Sequence, residues 1–224
     1  WYLYSESAVP AILKFNPDSR FIVLLRNPVD LAHSLHSQLL YGGDEDIEDF
    51  ELAWNLQDKR KNCRSLPKAC RDAKALIYGE IASLGWQVDR LLKLVDPVKV
   101  KFIRFDDLCS DPRTIYLQVL EFLHLPDDGR EGFNRTNQNR SIKSKKVSTV
   151  LFFVKRIKSA LGVKRSFGVW GKLQPLIAET KPRVAISEEL RAVMEEYFEK
   201  DTELLNRLLD DLKRDSDSDE MLND

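Results

Sequence analysis

The sequence predicts an α/β protein, rich in helix and built on parallel strands. Two segments carry that prediction. Phe21-Ile-Val-Leu-Leu25 is a short continuous apolar run ending in Arg26, and Asn27-Pro28 then opens a helix. Much further along, Val98 to Phe105 reads as a second strand, and Asp111-Pro112 opens another helix after it. A third observation joins them: the chain between carries amphipathic helical patterns long enough to cross over a sheet, and strand–helix–strand alternation closes as parallel pairs.

The elements follow in order. Ser5 to Phe15 has helical spacing, with Ala8, Ile12 and Phe15 on one side, and stops before Pro17. Phe21 to Leu25 is apolar on both faces, as a buried parallel strand is. Asn27 suits an N-cap and Pro28 the first helical position. That helix runs to about Tyr41 and ends at Gly42-Gly43. On it Asn27, Asp30, Ser34, Ser37, Gln38 and Tyr41 fall on a polar stripe, away from Val29, Ala32, Leu35 and Leu39. Ile47 to about Arg60 is a second amphipathic helix, bearing Phe50, Ala53 and Trp54; Cys63 to Asp72 is a loop containing Pro67. Lys74 to Val95 reads as one long helix, ended by Asp96-Pro97. Pro112 to Leu123 is helical, with Ile115, Val119 and Leu123 inward. Ser187 starts the last helix, with a seam of Leu190, Met194, Tyr197, Leu204, Leu208 and Leu212. Residues 1–212 form one domain, and 213–224 a disordered acidic tail.

Hydrophobic residues make up 43% of 224 positions, enough for a packed core. The net charge of −1 points to no bulk nucleic-acid or membrane partner. Charge is unevenly spread, however. From Gly132 to Ala178 there is no Asp or Glu but eleven Lys or Arg, which marks an anion-binding segment. Cys63, Cys70 and Cys109 form no disulfide framework in a chain this long; a Cys63–Cys70 bridge and free thiols both stay open. No apolar run reaches the length of a membrane span.

The chemistry concentrates at Arg26. A strand feeding a helix N-terminus presents unpaired N–H groups at the positive end of the helix dipole, and these attract anions. A guanidinium adds a fork of donors shaped for phosphate. Ser34 can donate a further hydrogen bond. The structural alternatives are an ion pair from Arg26 to Asp30 and a serine bonded to its own backbone.

Leu25-Arg26-Asn27-Pro28 followed by Ser34 resembles the 3′-phosphate-binding motif of sulfotransferases, which use 3′-phosphoadenosine 5′-phosphosulfate (PAPS) as donor. A second block, Phe102-Ile-Arg-Phe-Asp-Asp-Leu-Cys-Ser-Asp-Pro112 with a helix ending Glu121-Phe-Leu-His-Leu-Pro126, is similar to the family's "(E/D)DL…DP" turn and "FLGLP" helix end. The resemblance runs from about Tyr2 to Pro126, more loosely to Leu212, and is nearest to carbohydrate- and heparan-sulfate-type members and bacterial relatives. It implies a P-loop NTPase-like, three-layer sulfotransferase fold with a parallel sheet. Leu31 stands where members often carry Arg, and His124 where they carry Gly. The family's first strand and its 5′-phosphosulfate loop would lie upstream of Trp1, as would the catalytic Lys and base. The expectation is therefore an N-terminally truncated, inactive fragment in which Arg26 and Ser34 grip the ribose 3′-phosphate.

The resemblance also directs attention to the loop Asn134 to Lys146, because related enzymes bring a basic loop from this region to the nucleotide. Arg140 and Lys143 are its candidates, against the alternative of a solvated loop. Val147 to Leu161, a basic amphipathic pattern, can cover an acceptor cleft, rest on an anionic membrane surface, or simply pack. His33 and His36 lie three apart on a helix, but no third metal ligand is apparent, and the scheme needs no metal. Asp106 and Asp107 read as the end of a strand and a turn rather than as an acid–base pair. Asn134-Arg-Thr136 and Asn139-Arg-Ser141 are formal glycosylation sequons.

The expected reaction is sulfuryl transfer from PAPS to a hydroxyl or amine of a glycan, lipid or small-molecule acceptor, with no nucleic-acid partner. The alternatives are a P-loop-type kinase and a non-catalytic anion- or membrane-binding module. A cytoplasmic location is expected, or a Golgi lumen if an anchor precedes the chain.

Overall fold

In a computed structural model the chain is described over residues 2–68, 70–134, 140–142, 178–180 and 184–221. The elements are α1 (Ala8–Phe15), β1 (Phe21–Leu25), α2 (Pro28–Gly42), α3 (Phe50–Asn55), α4 (Gln57–Lys61), α5 (Tyr78–Ala82), α6 (Leu84–Leu92), β2 (Val100–Arg104), α7 (Phe105–Ser110), α8 (Pro112–Leu123), β3 (Arg140–Ile142), β4 (Ala178–Thr180) and α9 (Glu188–Met221). Short 3-10 turns at Ala73–Leu76 and Pro97–Lys99 precede α5 and β2. This is the helix-rich α/β architecture predicted. Strands β1 and β2 pair in parallel, Phe21 opposite Val100 through Leu25 opposite Arg104, while β3 and β4 pair antiparallel.

The chain divides into two compact units. One comprises Trp1–Leu31, Gly79–Asn134 and Ala192–Asp224; the other Ala32–Tyr78 and Arg135–Arg191. The core of the first gathers Val9, Val23, Leu25, Leu84, Val88, Leu91, Val95 and Val100, with Leu13, Phe102, Leu205 and Leu208 packed against it. The inward face of α1 is thus Val9 and Leu13, and Phe15, expected inside, is 91% exposed. Only one face of β1 is buried: Val23 and Leu25 point into the core while Ile22 and Leu24 stay half exposed.

Two helices predicted as continuous are broken. The stretch from Ile47 to Arg60 begins only at Phe50, where the Asp49 carboxylate accepts from the Leu52 amide at 2.9 Å, and it is interrupted at Leu56, whose amide bonds back to Ala53. The stretch from Lys74 to Val95 becomes a 3-10 turn, α5 and α6. Ser83 leaves helical geometry, and its hydroxyl donates to the Gly79 carbonyl at 2.7 Å. A new N-terminus at α6 is capped from far along the chain, by Asp201 of α9 accepting from the Gly85 and Trp86 amides at 2.8 and 3.0 Å. A Cβ on Gly85 would lie 2.1 Å from the Asp201 carbonyl oxygen, so this approach requires glycine. A remote cap leaves no local sequence signal.

Asp106 and Asp107 do not end a strand. They occupy the first turn of α7, where carboxylates complement the helix dipole. Asp111 caps α8 through the Thr114 amide at 3.1 Å, and His124 takes the left-handed C-cap conformation, φ 56°, at the site where the resemblance expects Gly. In α8 the fully inward residue is Leu120, with Ile115, Val119 and Leu123 only partly covered. In α9 the buried positions are Leu190, Met194 and Phe198, whereas Tyr197 is half exposed. The helix continues to Met221 through the stretch predicted disordered from residue 213. No Gly or Pro interrupts it, and an Arg214–Asp211 contact of 3.4 Å supports its exposed face. The three cysteines are free thiols. Among the described residues, no helix is long and apolar enough to cross a membrane.

Candidate functional site

Strand β1 delivers Arg26 to the carboxyl end of the parallel pair, the edge at which open α/β sheets bind ligands. The turn that follows is built by Asn27. Its side-chain oxygen accepts from the Val29 and Asp30 amides at 2.9 and 3.3 Å, and its carbonyl takes the first helical bond, from Leu31, at 2.9 Å. Asn27 is therefore a cap, as its place before Pro28 predicted. Its side-chain oxygen is committed to the backbone and shapes the corner.

Arg26 is partly buried, and its guanidinium lies over the Phe105 ring, 4.5 Å from the centroid. Among the described residues it pairs with no carboxylate, so the ion pair to Asp30 that a purely structural arginine would make is not formed. The pairing of Leu25 with Arg104 explains the contact: residues 26 and 105 directly follow the last rung of the ladder. Phe105 is a neighbour of Arg26 that sequence reasoning missed. The motif placed it at a strand end, but only the strand register brings it under Arg26.

Ser34 lies in the second turn of α2 and is 7% exposed. The predicted polar stripe does not survive intact. Ala32, Ser34, Leu35 and His36 are all buried, more than half the circumference of the helix, while Asp30, Ser37 and Tyr41 are partly covered and Gln38 is exposed. Arg140 is the first residue of β3, with its backbone opposite Thr180; Lys143 and the Val147–Leu161 pattern lie outside the described residues.

A second arrangement, which spacing did not reveal, surrounds Glu45 in the other unit. Arg60 donates from both terminal nitrogens to the two Glu45 oxygens, at 2.7 and 2.9 Å, with both side chains fully buried. The Tyr78 hydroxyl donates to the same carboxylate, as do the Asp46 and Ile47 amides at 2.9 and 3.1 Å. Burial alone would raise the Glu45 carboxyl, but the hydrogen bonds from Arg60, Tyr78 and the Ile47 amide outweigh it and hold the group below its ordinary value. Burial and the facing carboxylate push the Tyr78 phenol up. His36 donates from Nε2 to the Ile47 carbonyl at 2.9 Å and packs against Phe50 and Tyr78; burial lowers its pKa and favours the neutral ring. His36 is thus a core histidine, and among the described residues no cluster of His, Cys, Asp or Glu can hold a metal.

The family resemblance agrees with a family model. A family model described as a sulfotransferase domain matches residues 6–207. The solved structure of a sulfotransferase from Alicyclobacillus acidocaldarius is 22% identical with a TM-score of 0.48, over 76% of this chain and 64% of that one. The chain thus spans less than two thirds of that protein's length. No curated protein matches the chain.

Proposed function

Because the chain belongs to the sulfotransferase domain family, we propose that the protein transfers a sulfuryl group from PAPS to a hydroxyl or amine acceptor. The observation that carries the donor assignment is the state of Arg26. It stands at the carboxyl edge of the sheet beside a capped helix N-terminus, seated on an aromatic ring, and no carboxylate among the described residues holds it. An arginine so placed keeps its donors for an anion. The ribose 3′-phosphate is the anion that distinguishes this donor from an ordinary adenine nucleotide.

Arg26 would hold that phosphate through charge-assisted hydrogen bonds, each worth about 1.5–3 kcal/mol. Ser34, on the helix that leaves the corner, would add a hydroxyl. Neither residue touches the reacting atoms in this scheme. They set the register of the donor, so that the acceptor oxygen or nitrogen attacks sulfur in line with the departing 5′-phosphate oxygen. The acceptor–sulfur bond forms as the sulfur–phosphate oxygen bond breaks, the acceptor proton passes to a base, and adenosine 3′,5′-bisphosphate leaves. Arg140 and Lys143, in the basic stretch that contains no acidic residue, are the proposed contacts for further phosphate charge. A carbohydrate acceptor is the reading that the sequence resemblance favours. The family match favours the whole scheme over a kinase.

Calorimetric titration of the full-length protein tests it. The protein should bind adenosine 3′,5′-bisphosphate more tightly than adenosine 5′-monophosphate, and Arg26→Ala should abolish that preference. Equal affinity for the two nucleotides in the unaltered protein would overturn the assignment.

A further inference from the structure

The two sequence blocks that carry the resemblance meet along the parallel ladder, and just past its last rung the Arg26 guanidinium lies over the Phe105 ring. We propose that Phe105 is a positioning residue, whose ring holds the Arg26 guanidinium flat and aimed at the 3′-phosphate. The inference rests on the donor reading above and names the residue that makes the corner selective.

Arginine side chains are long and rotamer-rich, and a carboxylate partner is one way to hold such a side chain in place. Such a partner consumes donors and neutralises the charge. An aromatic face does neither: it attracts the cation through the ring quadrupole and stacks on the guanidinium plane, while the N–H groups, which lie in that plane, stay directed outward. At Arg26 the partner is an aromatic face, 4.5 Å away, and among the described residues not a carboxylate. The backbone makes this seat dependable. Leu25 and Arg104 pair in the parallel ladder, and the two residues that follow them are 26 and 105. Phe105 is itself the first residue of α7, so its backbone is fixed by strand on one side and helix on the other. A side chain held this way loses less entropy when the anion arrives, and the gain appears only for ligands that carry the phosphate.

The test compares adenosine 3′,5′-bisphosphate with adenosine 5′-monophosphate on the full-length protein. Phe105→Leu should weaken the bisphosphate by roughly three- to tenfold and change the monophosphate by less than about twofold. Phe105→Tyr, which keeps the ring, should restore the preference. In the Phe105→Leu background, Arg26→Ala should cost less than it does alone, and thermal unfolding should confirm that each variant is folded. Should Phe105→Leu unfold the protein, the decision passes to Phe105→Trp, which must keep the preference. If Phe105→Leu leaves the bisphosphate unaffected, or weakens both nucleotides equally, the ring does not act through Arg26 and the inference falls. If Arg26→Ala leaves the preference unchanged, the donor reading falls and takes this inference with it. Loss of preference in Arg26→Ala with retention in Phe105→Leu removes the positioning role alone.

Discussion

Two arginines, one in each compact unit, illustrate opposite uses of the same side chain. Arg60 is 1% exposed and locked to Glu45 by two hydrogen bonds, with Tyr78 completing the carboxylate's shell. Arg26 is partly open, lies over the Phe105 ring and pairs with no carboxylate among the described residues. The structural role that a short motif invites for Arg26 is taken by Arg60 instead. What separates them is whether the fold itself supplies the anion. Where it does, the arginine is architecture; where it supplies an aromatic seat and a capped helix end, the arginine is, on the proposed function, left for a ligand.

The contrast is most sharply broken at the buried pair. Arg60→Met leaves Glu45 buried and unpaired, and should cost about 3–5 kcal/mol of stability in urea unfolding. Replacing both partners, as Glu45→Leu with Arg60→Met, should recover most of that loss. Arg26→Ala should do the reverse. Its effect on unfolding should stay near the roughly 1 kcal/mol of its ring contact, while its loss of bisphosphate affinity should be about ten- to a hundredfold.

Acid separates the two regions next. Burial depresses the His36 pKa, so the unfolded chain takes up a proton near its ordinary value of about 6.5 that the folded state refuses, and stability declines as pH falls below that value. Glu45 is held below its ordinary value, so its contribution is complete above the carboxylate range and is lost as pH falls through the folded value. Unfolding midpoints measured from neutral to acid pH should therefore fall in two stages. His36→Gln should flatten the first and Arg26→Ala should change neither.

The smallest effect belongs to the corner's scaffold. Asn27→Ala removes the side-chain bonds to the Val29 and Asp30 amides and should cost about 1 kcal/mol of stability. A larger loss of bisphosphate affinity than of stability would show that the cap also shapes the site.

These contrasts also mark what was legible in the residues. Strand β1, the Asn27 cap and α8 could be read because their signals are local: an apolar run, a cap before proline, an Asp-Pro start. The break at Ser83 could not, because the group that caps α6, Asp201, comes from far along the chain. At the site, Arg26 was readable from its motif. Phe105 was hidden because strand register, not spacing, places it. Ser34 was found by spacing, but its burial on α2 was not, since periodicity on a helix covered on several sides predicts no single solvent face. The Glu45 network was invisible because its members come from a loop and two separate helices.

A crystal structure of the full-length protein with adenosine 3′,5′-bisphosphate tests the central claim most directly. The account predicts the ribose 3′-phosphate within hydrogen-bonding distance of the Arg26 guanidinium, with that group still lying over the Phe105 ring. A phosphate bound elsewhere, with Arg26 turned to a carboxylate of the protein, would contradict it.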